Sequence, residues 1–201
     1  MISSREDYLA YLEADRLNLG CSKTIKNYLF HDIWRYQRLL RRLEYQKNCR
    51  RSRLDSVLEL WFRFRLSRLS RDIGVCIKPN NFGPGLAVVH EGTIRVHKDA
   101  RIGVNCRIHV DVNIGASGDT DDAPQLGNNV YIAPGAKIFG GIRLADGIAV
   151  GPTLWSTGRS ASRILRLAAY RRKRFRIKAR ERRGGSPKIP IWASCIELCI
   201  S

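Results

Sequence analysis

The feature that most constrains this chain is a column of aliphatic residues that recurs at every sixth position. A second column of apolar residues has the same six-residue period and lies two positions before the first. A helix repeats about every 3.6 residues and a strand every two, so neither produces a strict period of six. A six-residue repeat is typical of a parallel β-helix, in which each hexapeptide supplies one flat face of a coil. The first column comprises Val96, Ile102, Ile108, Ile114, Leu126, Ile132, Ile138, Leu144 and Val150; the second comprises Ile94, Ala100, Cys106, Val112, Val130, Ala136, Ile142 and Ile148.

The hexads have two further regularities. A small residue often follows the first column, as at Gly103, Gly115 and Gly127, and we expect glycine there because it tolerates the backbone angles of a sharp corner. The columns are interrupted by the polar run 116–125, which predicts a loop that leaves the coil. Loops that interrupt a rigid solenoid often carry function.

Upstream of the hexads the apolar residues have helical spacing. It predicts helices over residues 3–19, 22–48 and 54–71, the first with Ser3 or Ser4 as its N-cap and Gly20 as its C-cap. We therefore predict an N-terminal α-helical domain over residues 1–72. The arginines of the third helix alternate with apolar residues, which predicts a solvated face; a surface for an anionic partner is the alternative.

Cysteine usage and hydropathy restrict the compartment. The six cysteines are scattered without metal-ligand spacing, so we expect neither a metal site nor a disulfide framework, and we favour a reducing cytoplasm. No apolar run approaches the ~18 residues that a membrane span needs. The first twenty residues carry acids and no apolar core run, unlike a signal peptide.

The net charge of +18 is unevenly distributed. Residues 152–201 carry +11 of it and residues 1–151 carry +7, so most of the excess lies after the hexads end. An Arg-rich helix over 159–183 that binds nucleic acid or anionic lipid is one interpretation of this tail. We favour a second interpretation, in which the tail is translated out of frame, and we expect no nucleic-acid partner.

Three stretches and the helical segment before them resemble the hexapeptide-repeat acyltransferases, in particular the serine O-acetyltransferase group and its relatives in surface-polysaccharide gene clusters. The resemblance covers residues 25–151. It implies an α+β protein in which the helical domain precedes a left-handed parallel β-helix over residues 73–151. It also implies a homotrimer, with acetyl-CoA in a cleft between neighbouring coils. The stretches are NNFGPGLAVVHEGTIRV, ARIGVNCRIHVDVNIGASG and APQLGNNVYIAPGAKIFGGIRLADGIAVG.

The resemblance implies a histidine base, which takes a proton from the acceptor hydroxyl as that hydroxyl attacks the thioester. His90, just before Gly92, matches the family's catalytic histidine; an inward-facing packing role is the alternative. His109 is a second candidate, for which we place coil packing or substrate contact ahead of catalysis. We expect no catalytic role for His31 or His97.

The resemblance also implies where the substrates bind. For acetyl-CoA it indicates Ala133, Gly135 and Ala136, whose small size would let the pantetheine arm approach the backbone, and Lys137, which would meet a phosphate. Simple coil geometry explains the same small residues equally well. For the acceptor it indicates Asp111 and Asn113.

Two departures from the serine acetyltransferases affect the identity of the acceptor. The family's second active-site histidine aligns with Ala123, and its acidic partner upstream of the base aligns near Cys76. Glu91 or Asp111 is the available substitute for that carboxylate. The sequence predicts an acetyl-CoA-dependent serine O-acetyltransferase of cysteine biosynthesis. The alternatives are O-acetylation of a sugar hydroxyl in surface-polysaccharide synthesis and an inactive scaffold trimer.

The segment after Gly151 departs from the family altogether. Restoring one nucleotide near the Gly151 codon lets permitted codons for residues 151–173 encode Ala-Asn-Ala-Val-Val-Asn and, further on, Gly-Val-Pro-Ala-Lys. That string returns valine to the six-residue column and supplies the ending that the family implies. We therefore predict that residues 152–201 are an aberrant basic tail translated out of frame, and that the chain as written has weak activity.

Resequencing the gene tests this prediction. We expect the verified sequence to contain the restored frame after the Gly151 codon. An uninterrupted frame that encodes PTLWSTGRS, together with an intact protein mass that includes the basic tail, would contradict it.

Overall fold

The computed structural model describes residues 1–50, 52–117, 122–152 and 155–157. Four helices come first, and short parallel strands follow, so the predicted order of a helical region and then a β region is confirmed. No helix in these ranges is both long and apolar enough to cross a membrane. The predicted tail lies outside the described residues except for Pro152 and 155–157. The helices are α1 (Arg5–Leu19), α2 (Ile25–Phe30), α3 (Asp32–Cys49) and α4 (Arg53–Ile73).

The helix ends follow the chemistry of capping. The Ser4 hydroxyl accepts a hydrogen bond from the Asp7 N–H at 3.1 Å, and Gly20 ends α1 with a φ of 75°, as the sequence predicts. The predicted helix over 22–48 is two helices, because His31 interrupts it. The His31 Nδ1 accepts the Trp34 N–H at 3.2 Å and so caps α3. His31 thus has a structural role.

Helix α4 has apolar residues on two sides. Leu66 and Ile73 are buried in the core, and Phe62 and Leu69 are partly buried against it. A second set at helical spacing lies on the outer side with side chains between 46% and 78% exposed: Leu54, Val57, Leu58, Trp61 and Phe64. Exposed apolar surface of this extent indicates a site of association.

The strands are two to four residues long and form three sheets, all parallel. One sheet has the order β1-β3-β6-β9-β12, the second β4-β7-β10 and the third β2-β5-β8-β11. The chain therefore visits each sheet in turn before it returns to the first. The strands are β1 (Val75–Cys76), β2 (Ala87–Val88), β3 (Ile94–Val96), β4 (Arg101–Ile102), β5 (Arg107–Ile108), β6 (Val112–Gly115), β7 (Gln125–Leu126), β8 (Tyr131–Ile132), β9 (Lys137–Phe139), β10 (Arg143–Leu144), β11 (Ala149–Val150) and β12 (Trp155–Thr157).

The register explains the period of six. Tyr131 pairs with Ala149, which is three hexads later, so one circuit of the three sheets takes eighteen residues. Arg107 pairs with Tyr131 across twenty-four residues, because the loop between β6 and β7 adds one further hexad length. Every residue of the first column is buried, and in the second column only Ile148 is partly exposed.

The small residues after the column have a different cause from the predicted one. Gly103, Gly115 and Gly127 do not have positive φ; the left-handed corner positions are Asn105 (56°) and Asn129 (54°) instead. A Cβ on Gly103 would lie 2.7 Å from the Gly127 carbonyl oxygen, and one on Gly115 would lie 2.7 Å from the Phe139 ring. Close approach of successive coils, and not backbone conformation, therefore requires glycine.

The β pairing extends past Gly151. Strand β12 pairs with β9 in register, with Ser156 opposite Ile138. Position 156 is six residues after Val150, so it continues the first column with a serine in place of an aliphatic residue. The coil geometry thus persists for one more strand although its apolar sequence pattern has ended.

A buried ionic cluster joins the helices to the first coil. The Arg41 guanidinium is fully buried, and it donates to the carboxylates of Asp15 (2.8 and 3.2 Å) and Glu44 (2.9 Å). It also donates to the carbonyl oxygens of Phe82 (2.9 Å) and Gly83 (2.7 Å). Burial alone would lower the pKa of Arg41, but the two carboxylates raise it above its usual value.

We expect Arg41→Met to lower the free energy of unfolding by about 3 to 5 kcal/mol, because the carboxylates of Asp15 and Glu44 would remain buried without their cation. Urea denaturation followed by circular dichroism measures this loss. The matched control is Lys47→Met, an exposed cation on the same helix; it should change stability by less than about 0.5 kcal/mol. Equal small losses in both variants would contradict the prediction.

Candidate functional site

The two histidine candidates meet at one corner of the coils, between the β2-β5-β8-β11 sheet and the five-stranded sheet. We call residues 89–93, 109–111 and 133–136 the histidine corner. Register places its segments one above another, since Val88 pairs with Ile108 and Ile108 with Ile132. The aliphatic columns therefore determine which residues share this corner.

His90 lies in the turn between β2 and β3, and its side chain is exposed. The turn is fixed at both ends, because the Val89 N–H donates to the Ile108 carbonyl oxygen (3.0 Å) and the Gly92 N–H donates to the Ile73 carbonyl oxygen (2.9 Å). Gly92 has a φ of 136°, and a Cβ there would lie 2.3 Å from Val110. The exposed side chain of His90 does not pack into the core of the coil.

His109 lies directly after β5 and is only 6% exposed. Its ring centroid is 6.1 Å from that of His90 and 5.1 Å from that of Tyr131. Its Nε2 is buried and has no hydrogen-bond partner among the described residues. Burial first, and then the positive charges of Arg107 and His90, lower its pKa to about 4, so His109 is neutral near pH 7.

Arg107 and Tyr131 complete the surroundings of His109, and the sequence analysis did not single them out. They occupy equivalent positions on β5 and β8, where they pair in register. The Arg107 guanidinium donates to the Asn18 carbonyl oxygen at 3.2 Å, and burial lowers its pKa to about 10. Both residues directly precede a column residue, which is an outward-facing position. That alternation was the available signal.

Asp111 and Lys137 are paired with each other. The Lys137 Nζ donates to the Asp111 Oδ1 at 2.7 Å and to the Asp111 carbonyl oxygen at 2.9 Å. Asp111 is exposed with a φ of 58°, and Asn113 pairs with Lys137 in register. Asp111, which was predicted to bind the acceptor, and Lys137, which was predicted to bind acetyl-CoA, thus form an ion pair with each other.

The backbone donors of the predicted acetyl-CoA segment are engaged within the coil. The Ala133 N–H donates to the Val150 carbonyl oxygen (2.9 Å), Gly135 to Val110 (3.1 Å) and Ala136 to Ala133 (3.3 Å). Ala133 and Ala136 are also buried. The pantetheine arm could therefore use only carbonyl oxygens or apolar contacts here.

Ala123 and Cys76, where the resemblance predicts missing active-site polar groups, lie apart from one another. Ala123 is buried and lines an open cleft of about 860 Å³ on the β4-β7-β10 sheet, together with Asp99, Gln125 and Arg143. Neither His90 nor His109 lines this cleft. Cys76 is half-buried on β1 and pairs with Arg95. Across the described ranges, no cluster of His, Cys, Asp and Glu could hold a metal ion.

The lowered pKa of His109 makes stability depend on pH. The unfolded chain binds a proton at His109 below about pH 6.5, whereas the folded chain does so only near pH 4, so stability falls as the pH drops between these values. We expect His109 to account for a loss of about 2 kcal/mol between pH 7 and pH 5. Urea midpoints at both values measure it.

The variant His109→Gln should lack this increment of pH dependence. The control His97→Gln, at a half-buried coil position, should retain it. The same dependence on pH in all three proteins would contradict the assignment to His109.

Comparison with known proteins gives a consistent result. No family model matches the chain. A serine acetyltransferase of Synechococcus elongatus is 33% identical over 90 residues, which are 43% of this chain and 37% of that protein. One from Helicobacter pylori is 33% identical over 90 residues and is covered to 53%. The matched region thus spans about half, or less, of the length of these relatives.

Solved structures show the same fold. The serine acetyltransferase of Neisseria gonorrhoeae superposes with a TM-score of 0.55 at 23% identity, over 73% of this chain and 66% of that one. The enzyme of Brucella abortus gives a TM-score of 0.54 at 19% identity, over 73% and 67%. Together with the sequence matches, they confirm that this chain resembles the serine O-acetyltransferase group of the hexapeptide-repeat acyltransferases.

Proposed function

We propose that this chain transfers an acetyl group from acetyl-CoA to a hydroxyl group, with L-serine as the acceptor and His90 as the general base. The observation that carries the proposal is the exposed imidazole of His90 in a turn fixed at both ends by backbone hydrogen bonds. The resemblance aligns this residue with the family's catalytic histidine. The serine acetyltransferases among the sequence relatives support serine as the acceptor.

The reaction needs one proton to move twice. His90 takes the proton of the acceptor hydroxyl while the hydroxyl oxygen attacks the thioester carbonyl carbon. The tetrahedral intermediate then collapses, the C–S bond breaks, and the departing thiolate takes the proton from His90. An exposed imidazole suits both steps, because the acceptor and the thioester can reach its ring nitrogens.

Binding of acetyl-CoA belongs to the same proposal. Ala133, Gly135 and Ala136 would offer the pantetheine arm a surface without bulky side chains. Lys137 would meet a phosphate only if its ion pair with Asp111 opened, which would free Asp111 for the acceptor beside Asn113. This exchange couples the occupation of the two substrate sites.

A sugar hydroxyl is the second candidate acceptor. The buried Ala123 and the half-buried Cys76 favour it, because both occupy positions where the serine acetyltransferases carry active-site polar groups. A buried His90 would favour the third candidate, a scaffold without activity. His90 is exposed, so this observation does not favour the scaffold.

The architecture proposed from the resemblance is a left-handed parallel β-helix in a homotrimer in the cytoplasm, built from a helical domain over residues 1–72 and a coil domain over 73–151. The eighteen-residue circuit of parallel strands and the similar folds support the β-helix. The exposed apolar side of α4 supports association with other copies. Sedimentation equilibrium tests the trimer; a mass of one chain would contradict it.

Release of free thiol from acetyl-CoA tests the function, with serine and with nucleotide sugars as acceptors. We expect serine-dependent release by the frame-restored protein and weak release by the chain as written. His90→Gln should lower the rate by about 100-fold or more, because general base catalysis is lost. His97→Gln is the control and should retain the rate. Thiol release only with nucleotide sugars would show that the acceptor is a sugar hydroxyl and not serine. Equal rates in His90→Gln and His97→Gln would show that His90 is not the base.

A further inference from the structure

We propose that His109 is the positioning residue of His90, so that the catalytic base is a pair of imidazoles instead of an imidazole and a carboxylate. The inference rests on the proposed function of His90. In this pair the ring N–H of His90 donates a hydrogen bond to the Nε2 of His109, which fixes the tautomer and the orientation of the His90 ring.

The first support is the unpartnered Nε2 of His109. A buried polar atom without a hydrogen bond costs about 1 to 3 kcal/mol, so such atoms persist where they have a function. The backbone of His109 is held by its main-chain N–H, which donates to the Ile132 carbonyl oxygen (3.2 Å), and the Tyr131 ring packs beside the buried imidazole, with the two centroids 5.1 Å apart. Packing and the main chain thus restrict the imidazole, while its buried Nε2 has no partner among the described residues.

The second support is the ring of His90. It is the other imidazole of the histidine corner, with its centroid 6.1 Å from that of His109. His90 is exposed, and no hydrogen bond holds its side chain within the described ranges, so its ring is free to rotate about the side-chain bonds. A rotation toward His109 would satisfy the buried nitrogen and also orient the base.

The third support is that neither carboxylate of this corner is both buried and unpaired. Position 76, where the family's acidic partner aligns, is a cysteine. Asp111 is engaged by Lys137 at 2.7 Å. Glu91 is adjacent to His90 in the chain, but it is exposed, and water competes strongly for an exposed carboxylate. His109 is the buried polar group that remains.

The charge state of His109 suits this role. The groups that face it are Arg107 on β5, Tyr131 on β8 and His90 in the turn; burial, the charge of Arg107 and the charge of His90 when it is protonated all disfavour a positive charge on His109. A neutral imidazole accepts a hydrogen bond from the N–H of His90, and this bond strengthens when His90 becomes a cation during the reaction. A protonated His109 would repel that cation instead.

The experiment compares His109→Leu and His109→Gln in two full-length backgrounds, the chain as written and the frame-restored protein. The leucine removes the acceptor, and the glutamine supplies an amide oxygen on a side chain of similar reach. We expect kcat to fall by at least about 10-fold in His109→Leu, with KM changed less than about twofold, and to recover in His109→Gln. The acidic limb of the pH–rate profile should move to lower pH in His109→Leu only.

A spectroscopic readout separates this inference from the proposed function. The ¹⁵N spectrum of the His90 ring should show one fixed tautomer in the unmodified chain and in His109→Gln, and a mixture in His109→Leu. A mixture in the unmodified chain, or an unchanged kcat in His109→Leu, would overturn the inference while His90 could remain the base. If His109→Leu fails to fold, the spectrum of the unmodified chain decides alone. A chain without acetyl transfer but with a fixed His90 tautomer would refute the function and retain the pair.

Discussion

The buried guanidinium of Arg41 holds the helical and β parts of this protein in one arrangement. A cation without water is tolerated only where its partners are fixed, and here they come from three places: Asp15 on α1, Glu44 on α3 and the carbonyl oxygens of the turn before β2. Asp15 also accepts from the N–H groups of Gly85 and Leu86, both at 2.8 Å. The helices therefore fix the backbone immediately before the strand that leads to His90.

Beyond this strand, each coil aligns the backbone of the next one. Each circuit repeats the previous one in register, and the glycines between coils allow contact distances that no Cβ would fit. A corner residue is thus placed by the residues one circuit before and after it, as His109 is between Val89 and Ala133. This is why two histidines nineteen positions apart in the sequence share one corner.

The sequence predicted the parts of the fold that repeat or that depend on local chemistry. The two columns identified the core of the regular coils, and serine and glycine marked both ends of α1. It did not predict Arg41, because a buried ion pair has no period and its partner Asp15 is twenty-six residues away. It also missed the break at His31, since a histidine that caps a helix looks the same in the sequence as one within it. In the site, the hexads placed His90 and His109 on the coils. Which residues surround them depends on the register between successive coils, so Arg107 and Tyr131 were found only in the structure.

The chemistry of the histidine corner follows from the same geometry. A carboxylate partner would leave the catalytic imidazole strongly paired at all times, whereas a neutral imidazole partner binds it more tightly only once it is charged. Such a partner must stay unprotonated, and an ordinary solvated histidine would be partly protonated near pH 6.5. Burial beside Arg107 removes that difficulty, because it lowers the pKa of His109 to about 4, well below that of an ordinary imidazole. The outward-facing Arg107 on β5 thus has two roles: it joins the coil to α1 through the Asn18 carbonyl oxygen, and its charge adds to burial in keeping His109 neutral.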